Sequence, residues 1–430
     1  MNDPVLDEPL VVVTSDSHVN APLEAYRPYV PKKYAREYEE FIGQAQAMRE
    51  ALLAMFRPPD APEPDAQPNH RASNQQNTKT NGHKDIHDRL RDMDFDGIAA
   101  DVIFFGTMPF DPFPFTSRTS ADPSSGMDTS ERSAVGMRMY NRWLSDFCSV
   151  EPERHAGLAH LPMWDIDLAL QELEVARELG LKGVNFPAPR REITPYEDPA
   201  WDPFWSACED LGMVLANHGG GGVTAAPATG PGAMFIYTTE TVAMSRYTPV
   251  NRFVWGGVFE KHPRLKLLQT EQPGNWFGFV MDELDSQYRA HADQLSLSKL
   301  PSEYLRTNYF VGASFQSHLE AEGAVLGGYA GNIIWGSDYP HGEGTFRYPD
   351  SFDDVPVTHL SLRATYAGLP ADATKAMVGR NGVDVYGLDG AALEKVAARI
   401  NAPTLRDLSE APDEAPAHWS LAFRTESSYT

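Results

Sequence analysis

The chain has 430 residues, 42% of them hydrophobic, and a formal net charge of -24. That is enough apolar material for one large domain with insertions or for two smaller ones, each with a sizeable core. The charge repels phosphate backbones and anionic lipid, and no basic stripe interleaved with aromatic residues offsets it, which argues against nucleic acid as a partner. The opening MNDPVLDEPL lacks a basic region followed by an apolar stretch. No run approaches the roughly 20 apolar residues that span a bilayer, so the expectation is a cytoplasmic protein away from membranes.

In chain order, the apolar runs predict strands at 10–15, 101–105, 156–161, 182–186, 213–217, 265–270, 308–313 and 332–336. Helical periodicity separates them, as in DLALQELEVAREL, DPFWSACEDLG and NWFGFVMDELDSQYR. Strand alternating with helix predicts an α/β fold, and eight strands are the number a closed (β/α)8 barrel, the TIM barrel, requires. The helix at 166–179 has a cap in Asp165 or Asp167 and a stop at Gly180. Residues 1–390 are expected to form the barrel and 391–430 a C-terminal helix with a peripheral polar tail.

Two segments exceed a minimal barrel. Residues 23–57 look helical and aromatic-rich, and the following stretch, 58–83, is rich in Pro, Asn, Gln and Asp, which predicts a mobile insertion on the face where the first strand ends. The loop after the second strand carries Phe110, Phe113 and Phe115, which either wall an apolar substrate site or plug the gap between loop and barrel. Cys148 and Cys208 fall in helical segments and read as small buried hydrophobes.

The chemistry is concentrated at strand ends. Asp16 and His18 stand in VVVTSDSH, His218 in MVLANHGG, Glu271 in KLLQTEQPG, and Asp338 with His341 in IIWGSDYPH. Asp16 and His18, two apart on a strand, share a side and can bind one ion, although such spacing is common by chance. In a parallel barrel all C-terminal strand ends meet on one face, so these residues can share a metal. Asp338 can also take a proton from a metal-bound water. GGGG at 219–222 lacks the GK[ST] of a phosphate loop. His262 falls at the opposite end of the barrel and is excluded.

These motifs resemble the amidohydrolase superfamily, in the branch that contains aminocarboxymuconate semialdehyde decarboxylase and the resorcylate-type decarboxylases. The resemblance is carried by SDSH, DRLRDMDFDGIAADVIF, ANHGG, EQPGNW, GSDYPH and GRNGVDVYGL, and it runs from about residue 10 to 388. It implies a distorted barrel and a divalent metal held by Asp16, His18, His218 and Asp338, with Glu271 as a fifth ligand or proton shuttle and His341 assisting. A homo-oligomer is common in this branch. Departures from the pattern are Asp16 in place of the usual His or Glu, Glu271 in place of a sixth-strand His, and no lysine at the end of the fourth strand. Such an oxygen-rich set suits iron or manganese at least as well as zinc.

Three functions follow. The first is hydrolysis or non-oxidative decarboxylation of a small or medium organic acid, amide or ester, with Asp338, Glu271 and His341 moving protons and Arg190, Phe113, Trp276 and His318 as candidate substrate contacts. Arg191, Arg246 and Arg252 are further candidates to clamp a carboxylate. The second is diiron oxygenation of an apolar, terpenoid-like substrate, because a diterpenoid hydroxylase also looks like this branch; His341 and His87 would then complete a second iron site. The third is a non-catalytic binding protein on a decayed barrel.

Overall fold

The eight apolar runs form eight parallel strands: β1 (Val13–Val19), β2 (Ala100–Phe105), β3 (His155–Ala159), β4 (Gly183–Asn185), β5 (Val214–His218), β6 (Leu267–Thr270), β7 (Tyr309–Ser314) and β8 (Ile333–Gly336). The computed structural model describes residues 6–56, 70–106, 112–116, 128–219, 246–272, 274–414 and 420–423, with isolated positions between 229 and 240. The strands pair in chain order, β1 to β8. A parallel bridge between Ser17 and Tyr339 brings the end of β8 back to β1, giving the expected α/β barrel.

Alternation along the strands sorts side chains into two layers. Val102, Leu158, Val214, Ala216, Leu268 and Ile334 pack in the barrel interior. Their neighbours Ile103, Leu215, Leu267, Ile333 and Trp335 pack outward beneath the helices. The C-terminal helix Gly390–Ala397 places Leu393 and Val396 in the interior cluster, so it belongs to the core.

β1 breaks the simple pattern, and the break serves the site. Val13 and Thr14 oppose Ala100 and Asp101 on β2, whereas Ser17 and His18 oppose Ile103 and Phe104. One extra residue is therefore accommodated between Thr14 and Ser17, a bulge that reverses which parity faces inward. Without it, Asp16 and His18 would share the outward side of Val12; with it, His18 stands beside inward Phe104. The strand also begins later than its apolar run, so both residues lie within it rather than past its end.

The helices follow their local sequence signals. After short 3-10 turns at Leu23–Tyr29 and Lys32–Tyr34 comes α1 (Ala35–Phe56), then α2 (His70–Asn77), α3 (Ile86–Asp96), α4 (Glu131–Cys148), α5 (Ile166–Glu178) and α6 (Asp202–Leu211). Asp165 caps α5 by accepting from Leu168 N, and Gly180 follows with φ of 82°. Cys148 and Cys208 are buried free thiols.

Of the expected mobile insertion at 58–83, residues 58–69 lie outside the described residues; from His70 the structure differs from a loop. Asn74 and Asn77, one turn apart on α2, hold the loop after β8. Asn74 Oδ1 accepts from Gly342 N at 2.8 Å, and Asn77 Nδ2 donates to the carbonyls of Pro340 and Phe346 at 2.9 and 3.0 Å. The polar composition that suggests solvation thus satisfies buried backbone instead. The C-terminal tail likewise returns to this loop, where Leu421 N donates to Glu343 O at 3.1 Å. Among the described residues, no helix is long and apolar enough to cross a membrane.

Candidate metal centre

Five side chains expected at strand ends, together with His341, converge at the C-terminal mouth. His18 Nε2 lies 3.2 Å from Asp16 Oδ1 and 3.1 Å from Asp338 Oδ1. His218 Nε2 lies 3.3 Å from His18 Nε2 and 3.4 Å from Asp16 Oδ1, while its Nδ1 lies 3.4 Å from Glu271 Oε2. His341 Nδ1 contacts Asp338 Oδ1 at 2.8 Å. Three groups have ligand atoms mutually within reach of a cation: Asp16, His18 and His218; His18, Asp338 and His341; and Glu271, Asp338 and Glu343.

The backbone is shaped to bring these groups together. Glu271 directly after β6, Phe315 directly after β7 and Asp338 two residues past β8 have φ of 57°, 43° and 55°. Left-handed conformations at such residues cost on the order of 1–3 kcal/mol each and cluster at functional sites. Gly219 leaves room for Glu271, because a Cβ there would lie 2.7 Å from Glu271 Oε2 and 3.1 Å from the Glu271 carbonyl oxygen. Asp338 N donates to Asp16 O at 3.0 Å and His18 N to Tyr339 O at 2.7 Å, locking the ends of β1 and β8 in register.

The electrostatics fit a cation. Asp16 and Asp338 are fully buried; Asp16 Oδ1 faces the ring nitrogens of His18 and His218, and Asp338 Oδ2 has no hydrogen-bond partner among the described residues. Burial opposes charge on Asp16, but His218 and His18 outweigh it and hold the carboxyl well below the usual range. Burial also opposes charge on His218 and His341, yet the surrounding carboxylates, Asp16 for the first and Asp338 for the second, push each up to about 10. Glu271 is pushed up to about 8, first by burial and then, against the pull of His218, by Asp338, Asp16 and Glu343. Carboxylates that raise every nearby proton affinity are concentrated negative charge, and this mixed O/N donor set suits a divalent ion.

Buried Arg89, on α3, supports the centre from behind. It donates through Nε to Asp101 Oδ2 at 2.7 Å, through Nη2 to Ser17 Oγ at 2.6 Å, and through Nη1 to the His18 carbonyl at 3.0 Å. His155 Nδ1 contacts the other Asp101 oxygen at 2.8 Å. Burial raises the Asp101 pKa, but Arg89 and His155 hold it well below the ordinary value. Arg89→Met strands this buried carboxylate, so the expected loss is about 3–5 kcal/mol, read from urea unfolding. A loss within about 0.5 kcal/mol, the usual range for surface substitutions, would remove Arg89 from this role.

The remaining candidates make other contacts. His87 is exposed on the first turn of α3, where its N–H is capped by Asp85. Glu343, which the sequence reading did not single out, stands with Glu271 and Asp338 in the cluster. His318 Nδ1 binds the Thr365 carbonyl at 2.9 Å. Trp276 is buried against Tyr247, Phe277 and Tyr309, with the Arg246 guanidinium 5.8 Å above its ring. Arg252 pairs with Glu197 and Arg191 with Glu192. Arg190 is half-buried and its charge acts on Tyr196 and Glu192. Phe110 lies outside the described residues. Phe115 plugs the space against Tyr34, Tyr38 and Phe41, and Phe113 packs on Tyr140 and His160.

His160, just past β3, is a residue the sequence reading passed over. Asn185 Nδ2 lies 3.3 Å from its Nε2, which suits a neutral ring accepting there, and burial lowers its pKa from 6.5 to about 4. An unfolded chain protonates this group near its ordinary value of 6.5, while the folded one resists. Its contribution is therefore intact above about pH 6.5 and is lost as pH falls toward 4, by about 2 kcal/mol between pH 7 and pH 5. Urea unfolding of the wild type should show this loss and His160→Gln a correspondingly smaller one; equal pH slopes would contradict it.

With this geometry in place, comparison with known proteins decides the family. A family model described as amidohydrolase matches residues 110–388. The chain belongs to the amidohydrolase family. Within it, the chain falls in the branch of gamma-resorcylate decarboxylase-like and aminocarboxymuconate semialdehyde decarboxylase-like proteins. It is 25% identical over 249 residues to the gamma-resorcylate decarboxylase of Polaromonas sp., covering 54% of this chain and 74% of that one. It is 27% identical over 179 residues to the 2-amino-3-carboxymuconate-6-semialdehyde decarboxylase of Dictyostelium discoideum, covering 40% and 48%. Among solved structures, the fold is shared with a 5-carboxyvanillate decarboxylase from Sphingomonas paucimobilis (TM-score 0.58, 19% identity, 88% of this chain and 100% of that one). It is also shared with a dihydroxybenzoic acid decarboxylase from Polaromonas sp. (TM-score 0.56, 18% identity, 89% and 99%), whose structure contains manganese and the inhibitor 2-nitroresorcinol.

Proposed function

We propose that this amidohydrolase is a metal-dependent carboxy-lyase that removes carbon dioxide from a small aromatic acid. The observation that carries the reading is Asp338: fully buried, with Oδ2 unpaired and Oδ1 between His18 and His341. Decarboxylation of an aryl acid breaks a C–C bond, leaves the electron pair on the ring carbon and needs one proton delivered there. The His341–Asp338 contact, 2.8 Å long, can store that proton on His341 Nδ1 and pass it through Asp338 Oδ1. A divalent ion held by Asp16, His18, His218 and Asp338 would supply Lewis acidity toward the carboxylate. Glu271, drawn toward its protonated form by burial, would serve as a second proton holder beside His218.

The test is carbon dioxide release from a panel of hydroxybenzoic acids by manganese-loaded protein, with deuterium incorporation at the vacated ring position in D2O. Release with deuteration supports the reading. Hydrolysis of amides or esters with no release from any acid would overturn it.

Glu343 favours a second reading, a two-ion centre on the same barrel. Its carboxylate joins Glu271 and Asp338 in a group able to hold a cation beside the first. In that reading the centre would be a diiron oxygenase, with Glu343 rather than His87 completing the second site. Substrate-dependent consumption of dioxygen would then replace carbon dioxide release.

A further inference from the structure

We propose that Ser314, the last residue of β7, is a positioning residue for the metal: it holds one carboxylate oxygen of Asp16 and so leaves the other to the ion. The inference rests on the ligand set of the proposed function and not on the reaction assigned to it.

β7 supplies none of the proposed ligands, yet its end reaches the centre. Val311 and Ala313 pack outward beneath the helices, so Gly312 and Ser314 have the opposite parity and face the interior. Ser314 opposes Gly336 on β8, and its Oγ donates to Asp16 Oδ2 at 2.5 Å. That length belongs to a hydroxyl on an ionised carboxylate, the stronger class of hydrogen bond. Both side chains are fully buried, so bulk water does not compete for the contact.

The other groups of Asp16 are held as well. Its carbonyl accepts from Thr14 Oγ1 at 2.8 Å and from Asp338 N at 3.0 Å. Oδ1 is the oxygen that faces the ring nitrogens of His18 and His218, at 3.2 and 3.4 Å. The two carboxylate oxygens thus have separate tasks. The last torsion of an aspartate is broad and roughly two-fold, so without Ser314 the carboxyl group is free to turn and present either oxygen or both.

A glycine makes room for the contact. A Cβ at Gly336 would lie 2.9 Å from Ser314 Oγ and 3.0 Å from Asp16 Cβ, so a larger residue there would push hydroxyl and carboxylate apart. Ser15 belongs to the same buried layer, its Oγ 3.2 Å from that Cβ position. Its hydroxyl donates instead to the Ile334 carbonyl at 3.1 Å and, among the described residues, bonds to no proposed ligand.

The experiment is titration of chelator-stripped protein with manganese(II), the free ion being read from its electron paramagnetic resonance signal and the fold checked by far-ultraviolet circular dichroism. Ser314→Ala is expected to weaken manganese binding by roughly 10–100-fold, the cost of losing a group that orients a ligand. Ser314→Cys, which keeps the shape but offers a weaker donor, should fall between Ser314→Ala and the wild type. Ser15→Ala should bind as the wild type does. A folded Ser314→Ala protein with wild-type affinity would overturn the assignment. So would an equal loss in Ser15→Ala, because the loss would then come from packing of the layer rather than from the hydrogen bond to Asp16. Carbon dioxide release measured in parallel separates this inference from the proposed function. Wild-type affinity in Ser314→Ala with release intact refutes Ser314 alone, whereas the expected weakening with no release from any acid leaves Ser314 standing and the carboxy-lyase reading refuted.

Discussion

His218→Ala is expected to lower metal occupancy and activity together. His218 is the ligand proposed from β5, and its Nε2 lies within 3.4 Å of both His18 Nε2 and Asp16 Oδ1. Loss of a group that merely orients a ligand costs roughly 10–100-fold in affinity, so loss of a direct ligand should cost more than about 100-fold. The fold should survive, because among the described residues the ring's backbone hydrogen bond is the single one to Gly219 O at 2.7 Å, and the side chain is part-exposed. Far-ultraviolet circular dichroism and elemental analysis of the same preparation check both halves. A folded His218→Ala protein with wild-type metal occupancy would remove this residue from the centre.

Asp338→Asn is the second large effect. The change preserves shape and removes one negative charge from a fully buried position that contacts His18 and His341. If Asp338 relays the proton, kcat should fall by about 10²–10⁴-fold, the range for general acid–base groups, with little change in KM. A ligand role alone would instead lower metal occupancy, and refilling with excess manganese would restore activity. Persistence of the kcat defect at full occupancy is therefore the expected result, and recovery by added metal would confine Asp338 to binding.

Much of this site is legible in the sequence because a parallel barrel turns strand ends into neighbours. The residues after an apolar run need no knowledge of loop paths to be placed on the same face, and Asp16, His18, His218, Glu271 and Asp338 do meet there. The resemblance then ordered them into ligands. What stayed hidden depends on events no periodicity records. The bulge between Thr14 and Ser17 leaves no mark in the hydrophobic pattern, although it decides which side of β1 faces the cluster.

Glu343 sits in a loop folded back on itself, with Gly344 N donating to His341 O at 3.2 Å, so its arrival beside Asp338 depends on turn geometry. A signal was present: Glu343 follows His341 at the same two-residue spacing that joins Asp16 to His18. His87 falls on the exposed first turn of α3, and helix phase rather than sequence distance sets that outcome. The Asn-rich stretch before it reads as solvated chain until the backbone groups it satisfies on the β8 loop are known.

The most direct test of the central claim is the metal itself: identity and stoichiometry by elemental analysis of protein purified anaerobically without added metal. The carboxy-lyase account predicts one manganese or zinc per chain, lost in His218→Ala. Two irons per chain would contradict it and give Glu271 and Glu343 to a second iron in an oxygenase.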